Sequence, residues 1–213
     1  MSELPSNLSI KGPAGKIEIL VTSPQKLTPS NQSYAIICHP HPLYGGSMNN
    51  KVVYILATTF NQLGVGAVRF NFRGVGQSTG QFDQGEGETE DLYTVAEWVT
   101  SQLKPAQLWL AGFSFGSYVA LKGYEQLQAS RLLLVAPPVE RFNFASWQLR
   151  QIPTLVIQGG KDEIVSPLAV SQWIAIQRYR PQLCWLDEAD HFFHGQLHQL
   201  RQTIIATWGN QHD

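Results

Sequence analysis

The chain has 213 residues, 43% apolar and 15% charged, with a formal net charge of −1. That length predicts one domain over residues 1–213 with enough apolar material for a core, and it excludes a disordered or fibrous chain. Near-neutral charge without a Lys/Arg cluster excludes a basic surface for nucleic acid or an anionic membrane.

The two cysteines, Cys38 and Cys184, both lie within apolar runs and predict free thiols, not a disulfide framework. The opening MSELPSNLSIKGPAGK lacks a basic stretch followed by an apolar one, and no apolar run reaches the ~20 residues that span a bilayer. A cytoplasmic protein is expected.

In chain order, LSIKG and KIEILVTS form a strand pair across a Gly12–Gly15 turn. SYAIICH is almost wholly apolar, as a strand covered on both faces should be. From Ser47 the period changes: Val52, Val53, Leu56, Phe60 and Leu63 share one helical face, which Gly64 ends. VGAVRFNFR is the next strand, followed by a glycine-rich loop. A helix with the stripe Leu92, Val95, Ala96, Val99 and Leu103 comes next, with Glu88, Glu90 and Asp91 near its positive end. QLWLAGF, RLLLVA, IPTLVIQGG and QLCWLD complete the strands. Between and after them come helices SFGSYVALKGYEQLQ, SPLAVSQWIAIQ (Ser166 as N-cap, Pro167 first) and a last one carrying Leu197, Leu200, Ile204, Ile205 and Trp208. Strand and helix in alternation mean an α/β fold: a mostly parallel central sheet with helices on both faces, its sites at the carboxyl ends of the strands.

Three strand ends carry chemistry. After QLWLA comes GFSFG, glycine–x–serine–x–glycine between a strand and a helix. The residues two before and two after the serine approach neighbouring backbone, so both must be small. Ser114 is the candidate nucleophile; Ser117 lacks this flanking. A serine hydroxyl needs an adjacent base, and that base an orienting acid. Asp162, in the glycine turn GGKDEIVSP, is placed for the acid, with Glu163 as its competitor. His191, in EADHFFHG, is placed for the base. Its competitor His194 falls at or inside the last helix, and His198 and His212 lie on that helix and the tail. Serine, acid, histidine is the chain order of α/β-hydrolases and differs from both common serine-protease orders.

HPHPLYGGSMNNKVV, RFNFRGVGQSTG, GFSFGS, GGKDEIVSP and ADHFFHG together resemble the α/β-hydrolase superfamily over roughly residues 16 to 205. The resemblance is closest to small, lid-poor bacterial enzymes grouped near the dienelactone hydrolases. It implies the α/β-hydrolase fold with a minimal cap, acyl-transfer chemistry on a small-molecule ester or acyl substrate, and no cofactor. Dienelactone hydrolases use cysteine where this chain has serine, so their substrate is not implied. The same triad also serves acyltransferases and peptidases, and the same scaffold serves non-catalytic binding proteins.

Acyl transfer puts negative charge on a carbonyl oxygen, and two backbone N–H groups usually hold it. Phe115, the residue after the serine, supplies one. The other comes from the loop HPHPLYGG. Pro40 and Pro42 have no N–H, which leaves His39, His41, Leu43 or Tyr44. Related hydrolases often carry His-Gly-x here, and laying His39 on that histidine favours the His41 N–H, with Leu43 second. A metal held by His39 and His41 would need further ligands that no Cys/His/Asp spacing offers, so no metal is expected. Arg73 is expected to pair structurally, and the acidic run Glu86–Asp91 to start a helix. Between RLLLVA and IPTLVIQ, Phe142, Phe144 and Trp147 form either an apolar wall of the cleft or a cover for the core.

Overall fold

The computed structural model describes residues 8–24 and 32–209. β1 (Leu8–Gly12) and β2 (Gly15–Thr22) pair antiparallel across the glycine turn. Six strands follow: β3 (Ser33–Cys38), β4 (Gly66–Phe70), β5 (Gln107–Phe113), β6 (Arg131–Val135), β7 (Thr154–Gly159) and β8 (Gln182–Leu186). They form one sheet in the order β1-β2-β4-β3-β5-β6-β7-β8. β2 meets β4 antiparallel, and every pairing from β4 to β8 is parallel.

The apolar strands serve both faces by simple alternation. On β3, Tyr34, Ile36 and Cys38 enter one core while Ala35 and Ile37 enter the other. α1 (Lys51–Gln62) and α5 (Leu197–Trp208) cover the second core with Val53, Leu56, Phe60, Leu200 and Trp208. α2 (Glu86–Leu103), α3 (Phe115–Gly123) and α4 (Pro167–Ala175) cover the first with Leu92, Val95, Val119, Val170 and Trp173. Among the described residues no helix is long and apolar enough to cross a membrane.

The chain steps from β3 out to β4 and then returns to β5 on the other side of β3. Connections after β3 and β5 therefore diverge to opposite faces, and a crevice opens between them at the carboxyl ends.

Several boundaries differ from expectation: β4 stops at Phe70, short of Arg73, and α4 at Ala175, short of Gln177. α1 starts at Lys51, not near Ser47. The side chain of Asn71 accepts from the Met48 N–H (2.8 Å) and Arg69 donates to the Met48 carbonyl (2.9 Å), which leaves neither group for a helix. Asn50 then caps α1 through the Val52 N–H. α3 ends at Gly123 instead of running through Gln128, which turns left-handed (φ 50°) to feed β6. α5 starts at Leu197, so His194 precedes it.

The connection from β6 to β7 is a minimal cap with a single short 3-10 turn, Phe144–Ser146. Phe144 is fully buried and Phe142 stacks on Tyr118, so these aromatics cover the core. Arg73 does pair structurally, holding Asp91 and Glu90 of α2.

Candidate active site

Ser114 sits at the junction of β5 and α3 with φ 53° and ψ −124°. A residue with a Cβ is strained there, and the surrounding backbone holds it in place. A Cβ at Gly112 would drive into the Gly116 carbonyl, and one at Gly116 into the backbone of Cys38 and His39. The two glycines thus let the start of α3 lie against both its own strand and the end of β3. Gly112→Ala is expected to lower stability by about 3 kcal/mol, the upper range for overpacking a tight site. Urea unfolding would show this as a lower midpoint at constant m; an unchanged midpoint would disprove the close approach.

Two more glycines bring the other loops together. Gly159 and Gly160, ending β7, leave no room for a Cβ against the backbone at Ala189 and Asp187. The Gly160 N–H donates to the Leu186 carbonyl (2.9 Å) and the Lys161 N–H to the Ala189 carbonyl (3.0 Å). This stitches the loop carrying Asp162 to the loop carrying His191.

The result is one hydrogen-bonded line. Ser114 Oγ lies 3.0 Å from His191 Nε2, and His191 Nδ1 lies 2.8 Å from Asp162 Oδ2. Asp162 Oδ1 accepts from the backbone N–H groups of Ile164 (2.9 Å) and Val165 (2.8 Å). Gln158 Nε2 donates to Oδ2 at 2.9 Å. Burial alone would raise the Asp162 carboxyl; hydrogen bonds from His191, Val165 and Ile164 outweigh it and hold the group below its ordinary range. The acid is therefore ionised and the histidine proton is drawn to Nδ1, which leaves Nε2 free to accept from the serine.

The competitors are placed elsewhere. Glu163 is exposed. His194 is exposed and bound to Asp190 (2.7 Å). Ser117 is buried and donates to the Ser114 carbonyl. His198 lies exposed on α5, and His212 falls outside the described residues.

An open cleft of about 370 Å³ lies over Ser114. His41, Phe115, Pro138, Arg141, Ile164 and Phe192 are among its walls. From the cap, Pro138 and Arg141 reach it, whereas Phe142, Phe144 and Trp147 do not line it. Phe115 begins α3, so its N–H is one of the helix-start donors without an intrahelical acceptor. In the loop after β3, the Leu43 N–H is taken by His41 Nδ1 (3.2 Å) and the Tyr44 N–H by the His41 carbonyl (3.1 Å). The His41 N–H has no hydrogen-bond acceptor among the described residues.

Neither histidine ring of this loop is disposed as a metal ligand. His39 is fully buried with both ring nitrogens engaged, and burial pushes it down to about 3 against the pull of the Pro40 carbonyl. His41 packs among Tyr44, Phe82 and Phe115. Gln158 escaped the sequence reading; its signal is a lone amide ending an apolar strand next to the glycine turn.

Residues 36–204 match the family model described as an alpha/beta hydrolase domain. A crystal structure from Xanthomonas campestris, an a/b serine hydrolase without lid, is 42% identical with a TM-score of 0.89, over 98% of this chain and 96% of that one. An alpha-beta serine hydrolase homologue from Coxiella burnetii is also 42% identical, with a TM-score of 0.91 over 96% of this chain and 99% of its own. An uncharacterized protein of Rickettsia prowazekii is 34% identical over 203 residues, which is 91% of this chain and 84% of that protein.

Proposed function

This chain belongs to the alpha/beta hydrolase family, and on that premise we propose that it is a serine hydrolase cleaving a small carboxylic ester or related acyl compound. The observation that carries the proposal is the Ser114–His191–Asp162 line at the floor of an open cleft. Similarity to the Xanthomonas serine hydrolase without lid supports it over most of both chains.

Ser114 Oγ attacks the substrate carbonyl while His191 Nε2 takes the hydroxyl proton, and Asp162 holds the imidazolium. The N–H groups of His41 and Phe115 receive the oxyanion. When the intermediate collapses, His191 returns the proton to the leaving oxygen, and water repeats the sequence on the acyl-serine. No cofactor enters the scheme. Reading the chain as one catalytic domain acting in the cytoplasm is part of the same proposal.

Cleft size bounds the substrate. About 370 Å³ lies near the lower end of small-molecule sites, and the minimal cap offers no cover for a long acyl chain. A fluorophosphonate probe is expected to label the folded protein on Ser114, read by peptide mapping. p-Nitrophenyl acetate is expected to exceed the palmitate ester in kcat/KM by about tenfold or more, a difference of about 1.4 kcal/mol in barrier. No adduct on Ser114 would favour a non-catalytic scaffold; a preference for the long ester would reject the small-substrate assignment.

A further inference from the structure

We propose that the His39 imidazole is a positioning residue for the oxyanion site, holding the Pro40 carbonyl and so fixing the direction of the His41 N–H. The inference rests on the acylation reading of Ser114 and adds a residue that never touches substrate.

A fully buried polar ring must satisfy its nitrogens or lose the free energy of their hydration. His39 satisfies both. The backbone N–H of Phe72 donates to Nε2 at 3.0 Å. A backbone N–H can only donate, so Nε2 is bare and the neutral ring carries its proton on Nδ1. Nδ1 lies 2.6 Å from the Pro40 carbonyl oxygen, so the ring donates there. Burial keeps the ring neutral, so it retains one donor and one acceptor. Phe72 packs on the imidazole at 4.5 Å between centroids and fixes its plane.

The Pro40 carbonyl and the His41 N–H are two ends of one planar peptide unit. The described residues contain no cis peptide bond, so these two groups point in opposite directions. Aiming the carbonyl aims the N–H. Gly46 closes the carbonyl in from another side, where a Cβ would strike it. Pro40 has a locked φ, which leaves its ψ as the soft angle on that side of the peptide. The bond from His39 holds that angle. Arg69 and Asn71 tie the same loop to the end of β4, but they grip it at Met48, eight residues beyond Pro40. Of these anchors His39 alone holds the peptide that bears the donor.

Two substitutions separate the two bonds of the ring. Glutamine can meet the Phe72 N–H but leaves the Pro40 carbonyl without its donor. Asparagine can donate to Pro40 but cannot reach Phe72. His39→Gln is expected to lower kcat on p-nitrophenyl acetate by about 10- to 100-fold, less than the 10²- to 10³-fold seen when a donor is deleted outright. KM should stay nearly unchanged, because the oxyanion exists only in the transition state. The inhibition constant of a trifluoromethyl ketone, whose adduct carries that oxyanion, should rise by the same factor. His39→Asn should recover most of both effects even where its melting temperature is the lower of the two. All rates are taken per folded site, counted by fluorophosphonate titration.

Wild-type kcat and inhibition constant in His39→Gln, beside an active wild type, would overturn the role of His39 and leave Ser114 untouched. A wild type that neither hydrolyses the ester nor takes the probe would remove the acylation reading itself. A third measurement needs no variant. Nitrogen-15 histidine spectra of the wild-type protein should show His39 as the Nδ1–H tautomer, and an Nε2–H tautomer would overturn the proposal even if neither substitution folds.

Discussion

Replacing Ser114 by alanine is expected to lower kcat on p-nitrophenyl acetate by about 10⁶ and to abolish fluorophosphonate labelling, the scale seen when a triad serine is removed. Rate above the uncatalysed reaction should persist, because oxyanion donors and substrate binding survive the change. The same position makes a second, opposite prediction for stability. At φ 53° and ψ −124° any residue with a Cβ is strained. Ser114→Ala keeps that strain, whereas Ser114→Gly releases it and loses the same hydroxyl. The glycine variant should therefore be more stable than the alanine variant by about 1 kcal/mol, although glycine has the greater unfolded-state entropy. Urea midpoints at equal m would measure the difference. An alanine variant that turns over ester within tenfold of wild type would reject Ser114 as the nucleophile.

Burial explains why so much of the fold was legible in the sequence. A parallel sheet buried on both faces needs apolar runs such as SYAIIC and RLLLV, and those runs mark β3 and β6 without any structure. The stripes on α1, α2 and α5 are legible for the same reason: burial against one sheet face enforces the 3.6 period. Ser114, Asp162 and His191 could be picked out because each follows a strand end, where the topology gathers side chains onto one edge. What stayed hidden depends on contacts between segments distant in sequence. The start of α1 depends on Arg69 and Asn71 reaching back to Met48, which no local pattern encodes. The walls of the cleft are another case. In sequence Phe142 and Phe144 fit a cleft wall and a core cover equally; packing on Tyr118 decides for the core, and Pro138 and Arg141 take the rim.

The histidine pair shows the same limit. His39 and His41 alternate on an extended segment, so a sequence can only suggest that their rings share a side. In the fold His39 lies wholly in the core and His41 lies against the cleft aromatics Tyr44 and Phe115. Separating them required knowing that the Phe72 N–H, 33 residues downstream of His39, arrives at its Nε2.

Asp162→Asn is expected to reduce kcat by about 10⁴ without dismantling the site, as an acid-to-amide change in a serine triad does. The cause can be followed atom by atom. All four hydrogen bonds to Asp162 come from donors: the Ile164 and Val165 N–H groups on Oδ1, and His191 Nδ1 and Gln158 Nε2 on Oδ2. An asparagine has one oxygen, and the two backbone donors claim it. Its NH₂ then faces His191 Nδ1, which must give up its proton to accept. The proton moves to Nε2, the nitrogen that has to take the serine hydroxyl's proton, and the base is disabled. Gln158 can meet the new NH₂ by turning its amide, since its Oε1 is buried without a partner in the wild type, at the expense of its 3.3 Å bond to the Gly159 carbonyl. The fold should therefore tolerate the change, and fluorophosphonate labelling should slow along with kcat. Acid stability provides an independent check. The native carboxyl is held below its ordinary range, so the unfolded chain takes up the proton first as pH falls. The stability this group contributes is present above that ordinary range, near 4, and disappears as pH drops through the native value. Wild type should lose stability across that window relative to Asp162→Asn, and the gap between their urea midpoints should shift accordingly on acidification. Parallel midpoints from neutral to acid pH would mean the carboxylate is not held ionised by His191 and the Val165 and Ile164 N–H groups, and an asparagine variant within tenfold of wild-type kcat would remove Asp162 from the mechanism.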